Sequence, residues 1–183
     1  MTLTTTKSCS KETKANKGQK IFLASTYQTS TFTYEPNNMN SLKLKINDGG
    51  RANAGYSGTS GDCVCRAIAI ASQRPYQEVY EMLNNVAKNE RTGSRKRGKS
   101  SARSGVYKNT SHKVILALGG KWTPYMTIGS GCKVHVRASE LPATGRHILS
   151  LSKHMAAWVD GELNDTYDCS REGTRCVYGI YTF

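Results

Sequence analysis

Three residues far apart in the chain have the types that nucleophilic catalysis needs. Cys63 lies in Gly61-Asp62-Cys63-Val64-Cys65-Arg66. His154 opens His154-Met155-Ala156-Ala157-Trp158-Val159, and Asp165 follows within the next run. A thiolate is a strong nucleophile near neutral pH. An imidazole can take and return its proton, and a carboxylate can hold the imidazole in one tautomer. Such a trio opens an amide or a (thio)ester bond. A cysteine at a helix start is more often a small buried apolar residue, so the three matter only if the chain brings them together.

Turn chemistry predicts that it does. Asp160-Gly161 is a strong two-residue hairpin signal between strand-like runs. With that loop, Val159 faces Glu162, Ala156 faces Asp165 and His154 faces Tyr167. Side chains alternate with period two, so His154 and Ala156 share a face. Asp165 is then the diagonal neighbour of His154, about 7–8 Å away along the backbone and within side-chain reach. Asn164 points to the opposite face. A loop one residue longer or shorter would exchange the two.

The thiol needs a different element. Asp62 is a good N-cap, and the run from Val64 to Ile70 is apolar and helix-forming, which predicts a helix over 63–72. Cys63 falls in its first turn, where the helix dipole favours a thiolate. The adjacent Asp62 charge opposes this. Cys65 reads as a small core residue of the same helix.

The chain has 183 residues, enough for one domain with a core, and a net charge of +13. No apolar run is long enough to cross a bilayer, so no membrane association is expected. Residues 1–20 are Thr- and Lys-rich without an apolar centre, unlike a secretory signal. A cytoplasmic location is the simplest expectation, with all six cysteines reduced. Cys63, Cys65, Cys169 and Cys176 lack a standard zinc spacing, and neither metal nor cofactor is expected.

The charge is uneven. Residues 91–108 hold Arg91, Arg95, Lys96, Arg97, Lys99, Arg103 and Lys108 with no acid among them. Glycine and serine fill the gaps, so this tract should bury little apolar surface. It reads either as a solvated loop or as a surface for a polyanionic partner, nucleic acid or nucleoprotein. Only Tyr107 is near enough for base stacking.

Residues 1–46 read as a basic, flexible or extended arm. Its end, Leu42-Lys43-Leu44-Lys45-Ile46, alternates like a strand. The domain proper is expected over 47–183. Its second helix begins at Pro75 and buries Tyr76, Val79, Tyr80, Leu83 and Val86; a third spans 110–118 and ends at Gly119-Gly120. Strands are predicted over 121–125, 133–137, 147–151, 155–159, 162–166 and 176–182. Helices followed by an antiparallel sheet make an α+β plan.

Several stretches resemble a group of uncharacterised phage and bacterial proteins. They are Asp48-Gly49-Gly50-Arg51, the Gly61–Ala69 segment, Tyr76-Gln77-Glu78-Val79-Tyr80, Ser101-Ala102-Arg103-Ser104-Gly105-Val106, Lys121-Trp122-Thr123-Pro124 and the His154–Asp168 region. That group in turn resembles the papain-like cysteine hydrolase superfamily, in which Cys, His and Asn or Asp follow in that order. The resemblance implies a papain-like core, a Cys63-His154-Asp165 triad, a protein or peptide substrate, and a place in a bacterial host cell or a virion. It also implies an oxyanion-hole Gln some six residues before the nucleophile, where this chain has Ser57. An inactive papain-like fold that binds nucleic acid or a particle is the alternative.

Overall fold

The computed structural model describes residues 42–91 and 98–183. They form three helices and a six-stranded sheet. The helices are α1 (Cys63–Ser72), α2 (Tyr76–Lys88) and α3 (Lys108–Ala117). The strands are β1 (Lys43–Ile46), β2 (Lys121–Pro124), β3 (Arg146–Leu151), β4 (His154–Val159), β5 (Glu162–Asp165) and β6 (Gly179–Thr182). Their order across the sheet is β1-β5-β4-β3-β6-β2. Only β1 runs parallel to its neighbour; every other pair is antiparallel.

The central hairpin follows from its turn. Asp160 and Gly161 both take positive φ, 48° and 81°, as a type I′ turn requires. Val159 therefore pairs with Glu162, Trp158 with Leu163 and Ala157 with Asn164. That is the register expected from sequence. The end of the predicted arm is also part of the sheet: β1 pairs Lys43 with Glu162 and Ile46 with Asp165.

The sheet is covered on both faces. Helix α1 lies across β4 and β3, and its Ile68 shares a core with Val79, Leu83, Ile115, Ile148 and Tyr181. The opposite face packs Trp158, Leu149, Leu163 and Ile180 against Val136, Leu141, Cys169 and Val177 from the long loops. Trp158 is fully buried and its indole N–H donates to Pro142 O at 2.7 Å, so it is a packing residue. Burial on both sides explains why β3 and β4 read as nearly continuous apolar runs rather than clean alternations.

Two expectations fail in this loop layer. Residues 133–137 do not form a strand. His135 makes an isolated bridge to Cys176, flanked by Val136 N–H to Arg175 O and Val177 N–H to Val134 O. The ladder stops because Glu140 Oε2 takes the His135 N–H at 2.7 Å and the Arg137 N–H turns back to His135 O. Cys132 and Cys176 form a disulfide, contrary to the expectation of six reduced thiols, while Cys63, Cys65 and Cys169 are free.

Candidate active site

Cys63 is the first residue of α1, and its N–H has no hydrogen-bond partner among the described residues. Asp62 precedes it but does not cap the helix with its side chain. Its buried carboxylate instead accepts from Arg66 Nη1 at 2.6 Å, Arg51 Nε at 3.1 Å and the Tyr76 hydroxyl at 2.7 Å. A buried carboxylate must be compensated in this way. The two guanidinium groups meet the charge that would otherwise hold the neighbouring thiol protonated.

His154 opens β4 directly after the two-residue turn at Ser152 and Lys153. Asp165 ends β5. The imidazole Nε2 and Asp165 Oδ2 are 2.6 Å apart, a strong charge-assisted hydrogen bond. The other oxygen, Oδ1, accepts the Thr166 N–H at 2.7 Å and Arg66 Nη2 at 3.3 Å. Asn164 faces away, accepting from Asn47 Nδ2 at 3.1 Å. The predicted choice of Asp165 over Asn164 as the partner of His154 therefore agrees with the geometry.

Cys63 and His154 line the same cavity, and the thiol and the imidazole each shift the other's protonation. Burial alone would push the thiol up, but His154, the Met155 N–H and Arg66 outweigh it and hold Cys63 below its ordinary value of 9.0. Burial would likewise discharge the imidazole. Asp165, Cys169 and Cys63 overcome that and raise His154 from 6.5 to about 11. For Asp165, burial is again opposed, by His154, the Thr166 N–H and Arg66, and the carboxylate stays below 3.8. The three shifts together favour a thiolate on Cys63, an imidazolium on His154 and a carboxylate on Asp165. Cys65, by contrast, is pushed up to about 12 by burial and is an inert core thiol.

Sequence reasoning missed two contributors here. Arg66 bridges Asp62 and Asp165 and so joins the helix start to the end of β5. Half of that bridge was visible, because Asp62 and Arg66 stand at i and i+4. Cys169 is buried beside the imidazole, and nothing in its sequence spacing marks it. The ligand atoms of His154, Asp165 and Cys169 all lie within 4.8 Å of one another, so this is where a soft divalent ion could be held. Any such ion would have to replace the proton between His154 and Asp165.

Cys63 and His154 share a cavity of about 650 Å³. Ser104, Gly105, Val106 and Lys108, from the end of the predicted basic tract, also line it. That segment is anchored, not freely solvated: Ala102 is buried, Arg103 O accepts the Gly61 N–H at 2.8 Å, and Glu90 binds Ser100 and Thr110. Arg91, Lys99 and Arg103 are exposed, and Lys108 lines the cavity. Arg95, Lys96 and Arg97 lie outside the described residues. Ser57, at the expected oxyanion position, does not line the cavity; its carbonyl accepts from Arg51 and Arg103 instead. Of the other histidines, His135 does have an acidic partner, Glu140 at 3.1 Å, which its spacing did not suggest. Comparison with family models, with curated proteins and with solved structures gives no match in any of the three.

Proposed function

We propose that this chain is a papain-like thiol hydrolase of amide or (thio)ester bonds. The observation that supports this most strongly is the His154–Asp165 pair at 2.6 Å, with the Cys63 thiol and His154 lining one cavity. In this reading Cys63 Sγ attacks the substrate carbonyl and forms an acyl-enzyme. His154 gives its proton to the leaving amine, alcohol or thiol, then takes one from the water that releases the acid. Asp165 keeps Nε2 protonated and stabilises the imidazolium. The N–H of Cys63 is one oxyanion donor, strengthened by the positive end of α1. Treating the native protein with iodoacetamide near neutral pH should label one fast thiol, and Cys63→Ala should remove it. Equal, slow labelling of Cys63, Cys65 and Cys169 would refute the assignment.

The net charge of +13, with exposed Arg91, Lys99 and Arg103, favours a second role in binding nucleic acid or a nucleoprotein particle, as in a phage virion or an infected bacterial cell. It does not compete with hydrolysis, since a basic surface can bring an enzyme to its substrate. Phosphate binding of this kind weakens with salt, by a log–log slope of about −0.9 per phosphate contacted on duplex DNA. Replacing Arg95, Lys96, Arg97 and Lys99 with Gln should lower both affinity and slope, and Cys63→Ala should change neither. An affinity independent of salt would remove this role.

A further inference from the structure

We propose that the cleft takes an acyl donor carrying a carboxylate close to the scissile bond, as an acidic residue of a peptide does; this rests on the thiol-hydrolase reading above. The support is an imbalance of charge. Inside the protein the cations Arg51, Arg66 and His154 are matched by Asp62, Asp165 and the Cys63 thiolate. Two further cations line the same cavity, Lys108 and Lys153, and no Asp or Glu lines it. Neither lysine forms an ion pair among the described residues. The cleft beside the nucleophile is therefore net positive, with no acidic group among the described residues lining it.

Both lysines are placed rather than merely present. Lys108 starts α3, and its ammonium sits 5.7 Å from the centre of the Trp122 ring. Lys153 immediately precedes His154 and adopts φ 54°, a left-handed turn position that Gly or Asn occupies at lower cost. Small residues, Gly61, Ser104 and Gly105, also line the cavity and leave room for a substrate backbone. A low-dielectric cleft lined by one sign of charge concentrates the opposite sign. A carboxylate two or three bonds from the reacting carbonyl would be drawn in, and a cationic side chain there would be repelled.

Two alkylating agents of nearly equal size, anionic iodoacetate and neutral iodoacetamide, test this on the intact protein. With either one the thiolate displaces iodide and forms a C–S bond, and mass spectrometry of the Cys63 peptide reads the rate. The ratio of the iodoacetate rate to the iodoacetamide rate at low salt should fall roughly tenfold in the Lys108→Gln, Lys153→Asn double variant. It should fall in the native protein as salt is raised past the screening range. Asn tolerates the left-handed position, and circular dichroism would verify that the variant is folded. If Cys63 reacts fast with iodoacetamide but the ratio ignores both the variant and salt, the anionic-substrate proposal is wrong and the hydrolase reading stands. If Cys63 reacts with neither agent faster than an unfolded thiol does, the hydrolase reading falls and this proposal with it.

Discussion

Asp165 owes its place to one turn. Because Asp160 and Gly161 close β4 onto β5 with two residues, Asp165 comes to the face of His154 and Asn164 goes to the other. The two neighbours therefore have separable jobs. Asp165→Asn removes the charge that stabilises the imidazolium, so it should slow turnover by orders of magnitude. It should also raise the pH at which Cys63 becomes reactive. Asn164→Ala should cost stability instead, about 1 kcal/mol, because it strips the bond from the half-buried Asn47 amide. Turnover against pH for both variants, beside their denaturation curves, checks the split. The pairing of His154 with Asp165 was legible because both steps in it are local: a two-residue turn and a period of two. Arg66 and Cys169 were not, because their roles depend on which elements meet in space. Arg66 is quoted easily as part of a motif, but only the packing of α1 against β5 shows that it touches Asp165.

At the scale of elements, that contact makes α1 and β5 one unit. The helix buries its apolar face on β4, and Arg66 ties its first turn to the strand that carries Asp165. Removing one partner of a buried ionic network leaves the others uncompensated, so Arg66→Met should destabilise the fold by about 3–5 kcal/mol. Arg66→Lys should recover little, since a single ammonium cannot serve Asp62 and Asp165 with a planar fork. Urea titration of the three proteins measures this; a Met variant as stable as the parent would show that the network does not hold α1 in place. The helix boundaries were readable from apolar spacing and from Pro75, and α1 begins and ends where the sequence suggested. The 133–137 run shows the limit of such reading. Val134 and Val136 alternate correctly and pack toward the same core, yet a Glu140 side chain intercepts the ladder. Alternation identifies a face, not the partner that completes a strand.

For the molecule as a whole, the sheet divides two different coverings. Helices lie on one face, while on the other irregular loops are drawn together by the Cys132–Cys176 disulfide. The bridge spans a sequence separation of 44, which in chain-entropy terms corresponds to about 2–4 kcal/mol. A reductant should therefore lower the melting temperature, and Cys132→Ser should reproduce the shift with no added reductant. A melting temperature indifferent to both would mean that Val136, Leu141 and Val177 secure this layer unaided. Sequence could not supply the pairing, since six cysteines allow many connectivities and the reduced state was the simpler expectation. No helix among the described residues is long and apolar enough to cross a membrane.

A thiolate on Cys63 matched to a charged His154 would show itself first in the pH dependence of Cys63 alkylation. Cys63 is held below 9.0 and His154 is raised to about 11, so between those two points the ion pair is the prevailing form. Reactivity toward iodoacetamide should rise with pH through a midpoint below 9. Turnover, which also needs the imidazolium proton, should decline as pH passes about 11. His154→Ala should move the alkylation midpoint up toward or past the ordinary thiol value. A native midpoint at or above 9, unchanged by His154→Ala, would mean that no such ion pair forms.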